Sequence, residues 1–408
     1  MTRAILSAGR ASREMRFLCA CVGASREPGR LARALAEGPV EWAKVLALAA
    51  NHHAIPLAYQ AMKAIARGRA GAVPAEFLAY LHREYMAIAA CNLRATATLH
   101  RLQRRMEADG IRLVPIKGPA LALLAYGSTS MRQFEDLDLI VRREDLLRAV
   151  DRLEREGYEL REIPPGASRP RHLAALQDWS LRKPGEPLHV DLKPVLISHT
   201  LSGPESADFM ARACRPLAMG EGRSLLAPGP EAMLWAVCLD GANEMWGKLS
   251  SVADVARLLA AFPDAEWSGL LREAAHVGQR RSLLSGARLA SLLLESPVPE
   301  AFQDAERRDP VARRLAEEAA GRMRAELSLR TGIVRQCGYA LRTRDRARDR
   351  WRFLRRLLFV PGAAELNLLA LPGVLHPLYS LLRPFRLAWD ALRGRPRRID
   401  APAASGQP

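Results

Sequence analysis

Apolar residues recur at three- and four-residue spacing along the N-terminal part of the chain. Examples are Trp42-Val45-Leu46-Leu48-Ala49, Leu78-Leu81-Tyr85-Ile88 and Leu93-Leu99-Leu102-Met106. That period lines one face of a helix, so residues 12–109 are predicted to be helical. Pro74-Ala75 follows a break at Gly68–Gly71 and suits a helix start. His52-His53, just before Ile55-Pro56, suits a helix end better than a ligand pair, because no matching cluster stands nearby in the sequence.

The period changes at Asp109-Gly110. A β-like run, Ile111–Ile116, is followed by Lys117-Gly118-Pro119 and a helical run, Ala120–Tyr126, with Pro119 in its first turn. A second β-like run, Leu137–Val141, leads into an amphipathic helix, Arg143–Glu156, stopped at Gly157. Pro/Gly-rich stretches at Pro164–Gly166 and Pro184–Pro187 precede a third strand, Leu188–Leu192. Alternating strands and helices in so short a span predict a compact mixed α/β core. From Pro230 to about Leu294 the pattern is helical again, with Trp235, Trp246 and Trp267 as core anchors, and residues 300–330 read as one charged helix.

These signals divide the 408 residues into an N-terminal helical region (1–109), a core (110–228), a second helical region (229–330) and a basic amphipathic tail (331–408). Hydrophobic residues make up 49% of the chain, which excludes wholesale disorder or a small disulfide scaffold. The six cysteines form no C-x-x-C pair and read as reduced core residues of a cytoplasmic protein. The apolar stretch Phe17–Ala24 is too short to span a membrane and lacks a cleavage site.

A net charge of +17 invites a nucleic-acid or anionic-membrane partner. Its distribution changes that picture, because Arg335–Asp400 holds 15 Arg against five acids and so carries +10 of it. In that tail the Arg residues alternate with Leu, Phe and Trp without the aromatic spacing that stacks bases, so no specific nucleic-acid binding is expected. The segment Arg350–Phe359 is amphipathic and basic. Packing on the rest of the chain is its first reading, and peripheral contact with an anionic membrane the second. The run Leu357–Leu382 is broken by Pro361, Pro372 and Pro377 and is not expected to span a bilayer.

Candidate chemistry sits in the core. On a strand, residues two apart share a face, so Asp136 and Asp138 project together while Leu137, Leu139 and Val141 pack inward. Val190 and Leu192 likewise alternate with His189, Asp191 and Lys193. If the two strands are neighbours, three carboxylates meet, and their repulsion calls for a cation. An all-oxygen ligand set suits Mg²⁺, which takes one or two carboxylates together with substrate phosphates. Lys117-Gly118, where a strand gives way to a helix N-terminus, and Arg132, four residues before Asp136, are placed to hold phosphate. Gly127-Ser128 is a lower-ranked alternative for that turn. His189 shares the face of Asp191; a plain surface histidine is its first reading.

The order of these pieces, GIRLVPIKGPALALLAYGSTSMRQFEDLDLIVRREDLLRAVDRLEREGYEL over residues 110–160 and His189-Val190-Asp191-Leu192 later, resembles the bacterial uncharacterised nucleotidyltransferase family of the DNA polymerase β-like superfamily. The likeness extends over roughly residues 30 to 390, including the helices around Trp235 and the Arg352–Leu387 tail. The resemblance implies a mixed α+β fold: a polymerase-β-like core with a small mixed sheet, flanked by N- and C-terminal helical regions. It implies that Asp136, Asp138 and Asp191 bind Mg²⁺ or Mn²⁺ and are catalytic. Lys117, Gly118, Arg132 and Lys193 would contact a nucleoside triphosphate, with ATP the expected one. The implied reaction is attack by an unidentified acceptor on the α-phosphate, releasing pyrophosphate. Two positions depart from the family pattern. Pro119 removes an N–H from the phosphate turn, and Lys193 stands where relatives often carry His. The alternatives are a catalytically weak nucleotide- or partner-binding relative and a membrane-surface accessory protein.

Overall fold

A computed structural model describes residues 11–23, 28–69, 71–160, 179–186, 188–194, 209–220, 222–327, 333–360, 375 and 377–392. Pro164–Gly166, Pro361 and Pro372, singled out above, lie outside the described residues. The N-terminal helices are α1 (Arg13–Gly23), α2 (Pro28–Ala36), α3 (Trp42–Asn51), α4 (Ile55–Gly68) and the 34-residue α5 (Ala75–Ala108). As the pattern predicts, α5 starts after Pro74 and α3 ends at His52, whose Nδ1 accepts a hydrogen bond from the Leu249 backbone N–H.

The middle of the chain alternates: β1 (Val114–Pro115), α6 (Gly118–Tyr126), β2 (Asp136–Ile140), α7 (Leu146–Arg155), β3 (Glu159–Leu160), β4 (Trp179–Arg182) and β5 (His189–Lys193). They form one sheet in the order β1-β2-β5-β4-β3, with β2 and β5 parallel and every other pair antiparallel. A separate hairpin joins β6 (Cys214–Gly220) to β7 (Arg223–Pro228). Three expectations shift in extent. The first strand contracts to two residues at Pro115, which has no N–H for a ladder, although Ile116 N–H still donates to the Asp138 carbonyl. The start of the predicted Arg143–Glu156 helix is a 3-10 turn, Arg143–Asp145. Gly127, at φ 69°, ends α6 by donating to the Leu123 carbonyl, so the alternative phosphate turn is a helix stop.

The remaining helices are α8 (Pro230–Asn243), α9 (Leu249–Ala261), α10 (Trp267–His276), α11 (Arg280–Leu294), α12 (Glu300–Arg307), α13 (Pro310–Arg324), α14 (Ile333–Arg342), α15 (Ala347–Phe359) and α16 (Pro377–Leu392). The single helix expected over 300–330 is two. Asp309 accepts from the Val311 and Ala312 backbone N–H groups, and Pro310 fixes the first turn of α13, so the Asp-Pro pair restarts the helix.

Two apolar clusters organise the chain. Beneath the sheet, Leu137, Leu139, Val190 and Leu192 pack with Leu99 and Leu102 of α5 and Val150 and Leu153 of α7. The helical cluster gathers α1, α4 and α8–α13 around the buried Trp235, Trp246 and Trp267. Helix α6 is apolar nearly all round and most of its residues are buried, with Leu123, Leu124 and Tyr126 half-buried. Ala122 belongs to the sheet cluster while Ala120, Leu121 and Ala125 belong to the helical one. Both clusters therefore hold the helix whose first turn carries Lys117-Gly118.

Candidate active site

Parallel pairing of β2 with β5 sets Asp138 opposite Asp191 and Asp136 opposite His189. Because the apolar alternates face the sheet cluster, the acids are left on the other face. Ligand oxygens of Asp136, Asp138 and Asp191 all lie within 4.8 Å of one another. Asp136 opens the strand and is exposed, whereas Asp138 is only 4% exposed. Three carboxylates this close repel one another strongly, so the donor set fits a hard divalent cation.

The cationic partners come from two directions. Lys117, preceding α6, donates to Asp138 Oδ2 at 2.8 Å and to Asp240 Oδ2 of α8 at 3.0 Å. Lys193, at the end of β5, contacts Asp138 Oδ1 at 2.5 Å. Burial by itself would raise the Asp138 pKa, but the two ammonium groups hold it below the usual carboxylate range. The Asp138 charge pushes Asp136 above that range. Burial works against the Lys117 charge, yet its carboxylate neighbours keep its pKa well above that of a free lysine. Gly118 has φ +54°, a left-handed conformation, and a Cβ there would stand 3.6 Å from the Asp136 carbonyl. This turn lays Lys117 over β2.

Arg132 is engaged elsewhere. Its Nε donates to both oxygens of Asp254 on α9, at 3.1 and 3.0 Å, and the Tyr126 hydroxyl donates to Asp254 Oδ1 at 2.7 Å. Asn92 of α5 donates to the Thr129 and Arg132 carbonyls at 2.7 and 2.6 Å, and Tyr85 to Ser130 at 2.8 Å. The turn Thr129–Met131 that delivers the chain to β2 is thus fastened to α5 and α9. The structure brings Asp136, Asp138, Asp191, Lys117, Gly118 and Lys193 together, while the Nε edge of Arg132 belongs to this neighbouring network. Sequence reasoning missed Asp240, Asp254, Tyr126 and Asn92. Two of them carried a signal: Asp240 and Asp254 are acids flanked on both sides by apolar residues or glycine in their helices.

Helices surround a small mixed sheet that carries three acids on one face, with two lysines against them. The family model described as "Uncharacterised nucleotidyltransferase" matches residues 38–295, and the chain belongs to that family of transferases. Among solved structures the chain is similar to an antigenic nucleotidyltransferase-like protein from Paracoccidioides brasiliensis. Identity is 16%, the match covers 50% of this chain and 93% of that one, and the TM-score is 0.29. A search of curated proteins gives no match.

Proposed function

We propose that this chain transfers a nucleotidyl group from a nucleoside triphosphate, ATP being the expected one, to an acceptor hydroxyl or other nucleophile, with release of pyrophosphate. The observation that carries the reading is the meeting of Asp136, Asp138 and Asp191 on paired strands in a member of this family. These three acids would hold Mg²⁺ or Mn²⁺. Bound there, the ion supplies phosphate charge neutralisation and lowers the pKa of an attacking hydroxyl. Asp191, opposite Asp138, is the acid that orients the acceptor hydroxyl. Lys117 and Lys193 are cations already at the acid cluster, and both turn to phosphate oxygens when a triphosphate enters. Gly118 leaves backbone N–H groups near them, and Arg132 adds positive charge beside Asp136 while fixing the turn before it. The acceptor is a small molecule, peptide or protein. An NTP substrate and six free cysteines fit a cytoplasmic setting.

One observation favours a second reading. Both oxygens of Asp138 are already occupied by lysines, which suits a chain that binds nucleotide weakly and turns over little. Titration calorimetry with ATP, with and without Mg²⁺, tests the site. Asp136→Ala with Asp138→Ala is expected to abolish the Mg²⁺-dependent part of binding, and unchanged Mg²⁺-nucleotide binding would overturn the site assignment. A mass-spectrometric search of cell extract for AMP or UMP adducts, comparing wild type with Asp136→Asn, separates the two readings. Binding without adducts or pyrophosphate favours the second.

A further inference from the structure

The basic tail region is amphipathic in an unusual sense. Helices α15 and α16 pack on each other, and Arg383 of α16, 2% exposed, donates from Nε to the Leu357 carbonyl of α15 at 2.6 Å. Phe353, Leu357 and Leu387 turn into the helical cluster. Helix α16 nevertheless leaves a second apolar stripe in solvent: Leu378, Leu381, Leu382, Phe385 and Trp389, with Phe385 76% exposed. The spacing of three, one, three and four residues puts these side chains on one face. Its neighbour α15 exposes Arg348, Trp351, Arg352, Arg355 and Phe359 at the same spacing.

We propose that α15 and α16 form a docking surface for an anionic lipid bilayer, lying in the headgroup layer. Charge complementarity selects this occupant. Asp349 stands 3.8 and 3.9 Å from Arg348 and Arg352 and offsets one charge between them, so a second copy of the chain would still press two net-basic faces together, a costly arrangement. Anionic headgroups pair with those guanidinium groups while the Leu, Phe and Trp side chains enter the acyl boundary. Trp and Phe beside Arg is the composition of an interfacial helix. Among the described residues no helix is long and apolar enough to cross a membrane.

Co-sedimentation of the full chain with phosphatidylcholine vesicles, with and without phosphatidylglycerol, tests this at low and high salt. Binding is expected only with phosphatidylglycerol and is weakened by salt. Arg348→Gln, Arg352→Gln and Arg355→Gln together lower partitioning by about a hundredfold, at the usual strength of a basic residue near an anionic surface. Phe385→Ser with Trp389→Ser lowers it roughly tenfold or more. All five side chains are exposed, so wild-type thermal melts are expected for both variants. A blue shift of tryptophan emission on vesicle addition is expected, reduced by Trp389→Phe and lost only with Trp351→Phe added, since both rings lie on the proposed surface. No sedimentation with phosphatidylglycerol vesicles at low salt would overturn the proposal. So would concentration-dependent dimerisation that Phe385→Ser abolishes, which assigns the face to a second copy.

Discussion

Asp138 and Asp254 are both buried carboxylates held by cations, and they are built differently. Asp138 lies on a strand face between two lysines, each on a flexible stem and 16–19% exposed at the side chain. Asp254 is 1% exposed on a helix, chelated by one guanidinium N–H and closed by the Tyr126 hydroxyl. An ammonium is a point charge that transfers easily to another anion, whereas a planar guanidinium in a dry seat is held by direction as well as charge. The first arrangement suits exchange of partners and the second suits permanence. Arg132 lies only four residues from Asp136, so the permanent pair anchors the strand on which the exchangeable one works.

The largest expected effect breaks the exchangeable side. On the proposed reading, Lys117→Met lowers nucleotidyl transfer, followed as pyrophosphate release, by about 10²–10³-fold through loss of phosphate charge stabilisation. Its effect on urea unfolding is smaller than that of Asp254→Leu, because Lys193 still covers Asp138. The opposite ordering would remove the distinction between the two carboxylates. Asp254→Leu strands the buried Arg132 charge and is expected to cost about 3–5 kcal/mol in urea unfolding. Adding Arg132→Met removes that charge and recovers most of the loss; a double variant as unstable as Asp254→Leu alone would argue that the pair is not what Asp254 contributes.

The smallest effect sharpens the permanent side. His53, at φ 52° just past α3, is pushed down to about 4 by burial and by the nearby Lys248 charge, with Arg132 adding to the repulsion. Its folded-state pKa lies below the unfolded one, so the unfolded chain takes up the proton first as pH falls from about 6.5 to about 4. Stability therefore declines across that window. His53→Asn, which tolerates the left-handed backbone, is expected to flatten this part of the profile in denaturant melts at pH 7 and pH 4.5. An unchanged slope would show that His53 is hydrated.

Much of this was legible in the residues because short-range rules suffice for it. Period-two alternation in Asp136-Leu137-Asp138-Leu139 declares one face acidic and one apolar, and the spacing around Leu81, Leu99 and Leu102 declares a helix. The strand-to-helix step at Lys117-Gly118 needs only a glycine and a following proline. Strand β4 and the hairpin β6–β7 went unread, since strands whose alternation is weak take their place from their partners. The break at Asp309-Pro310 is legible in its cap but is hidden within a long charged run.

What the sequence by itself determined, then, is which residues alternate, where helices start and stop, and that Asp136, Asp138 and Asp191 are candidate ligands. Only the tertiary structure decided that β2 and β5 are parallel neighbours in the register that sets Asp138 against Asp191. It alone brought Asp240 to Lys117 and Asp254 to Arg132, contacts spanning more than a hundred residues. Alternation and capping are local and are written in neighbouring residues. Register, and the choice of a buried ion's partner, depend on which faces meet when two apolar clusters close together around α6.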